Sequence, residues 1–226
     1  MISTLKKHGR YTETLFMLGL CAICFALSVF RVVYAQSGMY LFLNWNLFLA
    51  FIPWMLTSFL IIKPTVRVQS LLFIVVACTW MLFFPNAPYI LTDLFHLKDH
   101  STTPIWFDLV LVLSFAWTGL LFGFLSLWDL EKILSRNLPS RSIRLLVTAM
   151  LFVGSYGIYV GRYLRWNSWD ILREPMDVLT DVGSRLLFPM QHPRAWGMTL
   201  AMGLLLNMMY WSFRFIKQRN DVTVVS

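Results

Sequence analysis

Residues 71–93 read LLFIVVACTWMLFFPNAPYILTD, and the change of character at Pro85 decides the fold. Before Pro85 the stretch carries no charge, so it calls for surroundings as apolar as itself. A helix of about 20 such residues crosses a bilayer. Pro85 and Pro88 then remove backbone donors and disfavour regular helix just before each ring, which marks an exit from the span. Broken helices persist at membrane depth where the freed groups face protein or water rather than lipid. Asn86 and Tyr89 are expected to supply partners for the carbonyls near residues 82–84, with Asp93 following as a charge.

The rest of the chain has the same character. Its 226 residues are 58% hydrophobic and 13% charged, where soluble domains carry about 25% charged residues. Ten tryptophans and eight tyrosines suit a membrane–water boundary, where a ring can have one apolar and one wet edge. The formal charge of +8 does not indicate nucleic acid, because the basic residues cluster beside apolar runs and no separate basic-aromatic module exists. Cys21, Cys24 and Cys78 all lie in apolar runs. The first two imitate a redox pair, but no neighbouring cation favours a thiolate, so they read as packing residues.

Six stretches are long enough to span: residues 14–34, 39–62, 68–86, 105–128, 144–164 and 195–215. The expected fold is therefore an all-α transmembrane bundle forming a single domain over residues 1–226. KKHGR before the first run resembles the start of a secretion signal. Arg31 inside that run and a poor VYA cleavage site favour a retained helix. Lys6, Lys7, Arg10, Lys63, Arg67, Lys132, Arg136, Arg141, Arg144, Arg214, Lys217 and Arg219 fall on one side of the membrane. Arg31, Lys98, Arg162, Arg165, Arg173, Arg185 and Arg194 fall on the other. The positive-inside rule then puts both termini in the cytoplasm. Residues 163–194 are an outer-face cap or loop, in which Asp170, Glu174, Asp177 and Asp181 follow helical spacing beside a partial apolar face.

Polar residues converge on the outer side. Asn44 and Asn46 enter with the second span, Asp108 lies just inside the fourth, and GRYLRWNSWD (residues 161–170) leaves the fifth. Thr103 and Pro104 mark the start of the fourth span as N-cap and first helical residue. An acid within a span usually faces the bundle and finds a partner, and Arg162 or Arg165 is the expected partner of Asp108. Asn86, Tyr89, Arg162, Arg165, Asn167 and Asp170 are the candidate ligand-binding residues; Asp93, His96 and Asp108 are the candidate catalytic ones. The competing reading is interfacial decoration, with snorkelling arginines and hydrated acids. Gly157 and Gly161 form a small-xxx-small pair suited to close packing against the third or fourth span.

Three classes of function fit these residues. One is recognition of a lipid headgroup or other phosphate-bearing ligand by the forked arginine donors. Another is a hydrolase or transferase acting on a lipid-linked substrate, with Asp93 and His96 in acid–base roles. The spacing of Asp93, His96 and His100, with Asp108, would also permit a divalent metal, although no cofactor is evident from any strong motif. The third is a structural or assembly partner. A transporter is less favoured, because the inner halves of the spans hold little polar beyond Thr57, Ser58, Thr148 and Asn207. Membrane lipids are the expected partners in each case.

FFPNAPYILTDLFHL, GRYLRWNSWD and the earlier NWNLFLAFIPW together resemble the domain-of-unknown-function 1361 family of bacterial integral membrane proteins. The resemblance runs from about Tyr34 to Phe215. It implies a multi-span protein of the bacterial inner membrane and brings no catalytic assignment. Its motif positions here are Asn86, Pro88, Tyr89, Thr92, Asp93 and His96, then Gly161, Arg162, Arg165, Asn167, Ser168 and Asp170.

Overall fold

The computed structural model describes residues 9–63, 66–97 and 103–223. Among them the only regular elements are helices, and the chain divides into two compact units, Met1–Asp129 and Leu130–Ser226.

Unit 1 contains α1 (Tyr11–Ala35), α2 (Phe42–Ile62), α3 (Leu71–Phe83), the single turn α4 (Asn86–Tyr89), a 3-10 helix (Ile90–His96) and most of α5 (Ile105–Leu134). Its core is aromatic and aliphatic, with Trp80, Phe84, Leu111, Val112 and Phe115 fully buried. The Trp80 indole donates to Ser126 Oγ at 3.1 Å, so its one polar atom is satisfied inside the core. Leu18, Phe25, Val33, Leu71 and Trp117 remain exposed. Such an outward apolar surface is untenable in water and natural against lipid.

The proline stretch does not end the helix of the third expected span. Helix continues through it, giving an almost unbroken rod over Leu71–His96. Pro85 precedes α4 in a helical conformation (φ −58°). The lost regular bonds are replaced by tighter ones: Ala87 N–H donates to the Phe84 carbonyl, and Asn86 Nδ2 donates to the Phe83 carbonyl at 2.9 Å. Asn86 thus does what its position suggested.

Ala87, Pro88 and Ile90 are buried, and Ala87 and Ile90 lie against α5. Two glycines of α5 permit this approach. A Cβ on Gly119 would lie 2.8 Å from Ile90 Cδ1 and 3.0 Å from the Ala87 carbonyl oxygen; one on Gly123 would lie 2.9 Å from Ala87 Cβ. This Gly-xxx-Gly face is the close-packing seam of unit 1. Gly119→Ala is therefore expected to destabilise the protein by about 1–3 kcal/mol, because the carbonyl cannot yield. Thermal unfolding in lipid nanodiscs would check it against Gly197→Ala, whose added methyl meets nothing within 4 Å. Equal stability of the two variants would refute the seam.

Unit 2 contains the end of α5, then α6 (Ser140–Tyr159), a π-helical turn (Val160–Leu164), α7 (Asp170–Arg173), α8 (Pro175–Leu187), a 3-10 turn (Pro189–Gln191) and α9 (Pro193–Thr223). Its main packing is α6 against α9, where the Phe152 ring occupies the space beside Gly203. Glu131 accepts from Tyr210 at 2.9 Å and pairs with Arg214. Pro175 opens α8, the place where its missing donor costs least.

Among the described residues five helices are long and apolar enough to cross a membrane: Tyr11–Ala35, Phe42–Ile62, Leu71–His96, Ile105–Leu134 and Ser140–Leu164. The expected sixth span lies in α9, which has the length at 31 residues. Asn207, Tyr210, Trp211 and Ser212 dilute its apolar character.

Candidate functional site

One end of unit 1 gathers the C-terminal turns of α1, the start of α2, the 3-10 helix and the start of α5. Arg31 Nε donates to Asp108 Oδ1 at 3.1 Å, and both side chains are only 2% exposed. Arg31 also donates to the Ser37 carbonyl at 3.1 Å and lies over the Tyr40 ring at 4.7 Å. Asp108 sits in the first turn of α5, where the helix dipole favours a negative charge. Asp108 therefore has a partner that the sequence reading did not select. A charge a few residues inside each of two runs, near the same end, was the available signal.

Beside this pair, Asp93 is 1% exposed and accepts from Asn46 Nδ2 at 2.9 Å. His96, one 3-10 turn later, brings Nδ1 to 3.7 Å from Asp93 Oδ1, and its side chain is 41% exposed. Residues i and i+3 eclipse in a 3-10 helix, which is why the two meet. The result is a buried carboxylate beneath a solvent-reachable imidazole. Tyr40 donates to the His96 carbonyl at 3.1 Å, and Phe42 packs on the imidazole ring. Burial, then the Asp108 carboxylate, push the Tyr40 phenol above its ordinary range, with Arg31 opposing, so Tyr40 stays a neutral donor. Asn44 turns the other way, to Ser28 Oγ at 2.8 Å. Asn86 serves the Phe83 carbonyl and Tyr89 accepts from Thr92 at its backbone.

The metal reading needed His100, which with Lys98 and Asp99 lies outside the described residues. Among the described residues no three His, Cys, Asp or Glu side chains are grouped to hold a metal. Asp108 faces a guanidinium, which competes with a cation for the same oxygens.

The other candidate residues belong to unit 2. Arg162 lies within the π-helical turn at the end of α6, and Arg165 caps it with φ +62°, in the left-handed region. Gln36 is the one other non-glycine residue with positive φ among the described residues. Single π turns and left-handed non-glycine residues both concentrate at functional sites, because each costs backbone energy that packing elsewhere must offset. Arg165 is exposed, and its guanidinium has no protein partner among the described residues. Asn167 and Asp170 bond each other: Asp170 Oδ2 accepts from the Asn167 N–H at 2.7 Å and from its Nδ2 at 3.0 Å. They shape the turn that follows Arg165.

A second polar network, at the opposite end of unit 1, escaped the sequence reading. Arg10 Nη2 donates to Asp129 Oδ2 at 2.6 Å and to Ser58 Oγ, and Arg10 Nη1 reaches Glu13. Thr57 donates to the same Asp129 oxygen at 3.2 Å, and the Trp54 indole donates to Glu13 at 2.9 Å. The expected fourth span stopped at Trp128, but α5 runs to Leu134 and carries Asp129 inside the bundle. Cys24 lies buried against Thr118 Oγ1 at 3.3 Å, and neither it nor Cys21 is in a disulfide.

Long lipid-compatible helices, with buried ionic networks near their ends, define a multi-pass α-helical membrane protein. More particularly, the chain belongs to the family described as a protein of unknown function, DUF1361, which matches residues 45–209. That range contains both the proline stretch and the π-turn segment. No curated protein and no solved structure matches the chain.

Proposed function

We propose that this is a six-span protein of the bacterial cytoplasmic membrane, with both termini cytoplasmic, that recognises a phosphate-bearing lipid headgroup at its outer face. The observation that carries the reading is Arg165: an exposed guanidinium on a left-handed backbone, directly after the π turn that holds Arg162. A planar fork of donors suits phosphate oxygens, and strained backbone at a cationic residue points from geometry to use. Support for a sixth span comes from the length of α9 and its outward Leu200, Leu204 and Met208. The distribution of lysine and arginine supports the orientation. Residues 163–194 then form the outer cap of one integral domain.

Native mass spectrometry of gently purified protein tests the reading. Wild type is expected to retain a phosphate-bearing lipid as added mass. Arg165→Gly is expected to lose it while gaining up to about 1 kcal/mol of stability, since glycine adopts positive φ freely. Bare wild type, or equal retention by both proteins, would overturn the proposal.

Asp93 and His96 favour a second reading, a hydrolase or transferase on a lipid-linked substrate. A buried carboxylate can orient an exposed imidazole as general base. In the same preparation, smaller lipid products formed by wild type and absent with His96→Ala would support it. Unchanged lipid with both proteins would remove it.

A further inference from the structure

We infer that α8 is an interfacial helix whose Met176–Leu179–Leu187 stripe lies in the lipid of the leaflet at which α6 ends. The inference concerns a surface that ligand recognition at Arg165 does not use, and it stands without that reading.

An amphipathic helix of a soluble protein turns its apolar stripe toward the protein core. In α8 the arrangement is reversed. Met176 is 71% exposed, Leu179 59%, Leu186 48% and Leu187 75%. At ~100° per residue these side chains share an arc of about 100°. The side of α8 held by the protein is a different one. It carries buried Val178, Asp181, which accepts from the Trp166 indole at 2.8 Å, and the Val182 carbonyl, which accepts from Tyr156 OH at 3.0 Å. The Arg185 carbonyl accepts from the Trp196 indole at 3.0 Å. A third side, led by exposed Asp177, is polar, and exposed Thr180 stands at its border with the apolar stripe. The helix thus has a protein side, a water side and an apolar side that no described residue covers.

Depth identifies what covers it. The span containing α6 runs to Leu164, and Tyr156, which holds α8, lies eight residues before that end. At 1.5 Å per residue the anchor is roughly 12 Å inside the end of the span. A helix tied there sits at the level of headgroups and upper acyl chains, where interfacial helices bury their apolar faces by about 5–10 Å. The uncovered stripe is therefore continuous with the lipid-facing surface of α6. Exposed Arg173 and Arg194 at the flanks are placed to meet lipid phosphates.

The test is spin-label accessibility in nanodiscs of mixed anionic and zwitterionic phospholipid. Single cysteines at Met176, Leu179, Leu187 and Asp177 would be made with Cys21, Cys24 and Cys78 replaced by alanine. Labels at Met176, Leu179 and Leu187 are expected to be reached by oxygen and shielded from a water-soluble nickel chelate, with the order reversed at Asp177. Nickel access to the stripe would show it in water and overturn the inference. Shielding from both reagents would show a second copy or another protein on the stripe, and would overturn it equally. Hydroxyl-radical labelling of unmodified protein in the same nanodiscs reads Met176 directly, should the cysteine-free chain fold poorly. Protection of Met176 in discs holding one copy supports burial in lipid, and free oxidation refutes it.

Discussion

Asp108→Asn is expected to cost about 3–5 kcal/mol of stability, enough to reduce the folded, membrane-inserted yield. The reason is what the substitution leaves behind. The Arg31 guanidinium is left in a site where its side chain is 2% exposed, with the Ser37 carbonyl and the Tyr40 ring among its other contacts. Arg31→Met strands the opposite charge and is expected to cost a similar amount. The double variant Arg31→Met with Asp108→Leu removes both charges and fills the space with apolar atoms. It is expected to recover most of the loss, because a buried pair yields little net stability over a hydrophobic replacement. Unfolding of all four proteins in one lipid composition completes a double-mutant cycle. A cycle showing no coupling would mean that the pair does not form. A double variant as unstable as either single one would mean that the site requires charge for folding.

Recovery in that double variant would also bear on function. Asp93, Asn46, Tyr40 and His96 stand at the same end of unit 1 as the pair. If the folded double variant keeps its lipid chemistry, the pair is a structural clasp and His96 acts apart from it. If it loses that chemistry, the pair positions Tyr40, whose ring carries Arg31 and whose hydroxyl holds the backbone of His96.

The parts of this fold that could be read from sequence are those set by the chain's own neighbours. Apolar length marked the long helices, Asn86 could be matched to carbonyls freed by nearby prolines, and Pro175 could be placed at a helix start. Pairings across helices were less accessible, since they depend on which spans adjoin and at what height. Arg31 looked like an interfacial residue because the end of its run is a few residues away. Only contact with α5 shows that it is buried. The same holds for Asp129, which reads as the first residue beyond a span until the helix is seen to continue. Pro85 misled in another way: its ring forbids one bond, and the chain replaced that bond with a tighter turn rather than ending the helix. The left-handed backbone at Arg165 had no signal at all, because glycine or asparagine is what such a position usually displays.

At the far end of unit 1, Arg10→Met is expected to destabilise by about 3–5 kcal/mol, more than any substitution of its partners. Arg10 joins three helices: it meets Glu13 on α1, Ser58 on α2 and Asp129 on α5, with its guanidinium 5.1 Å from the Trp54 ring centroid. Without it, the buried Asp129 carboxylate loses its guanidinium partner and faces half-buried Glu13 across the same site. Asp129→Asn is milder, about 1.5–3 kcal/mol, because Glu13 still compensates Arg10 and the amide can still accept from Thr57. Arg10→Lys should fall near Arg10→Met rather than near wild type. An ammonium is a single point of charge and cannot bridge three acceptors held by a planar fork. Thermal unfolding of the three variants in one lipid composition supplies the ranking. An Arg10→Lys protein as stable as wild type would show that the site needs charge alone, and that the three-way geometry at Arg10 is not what ties α1 to the bundle.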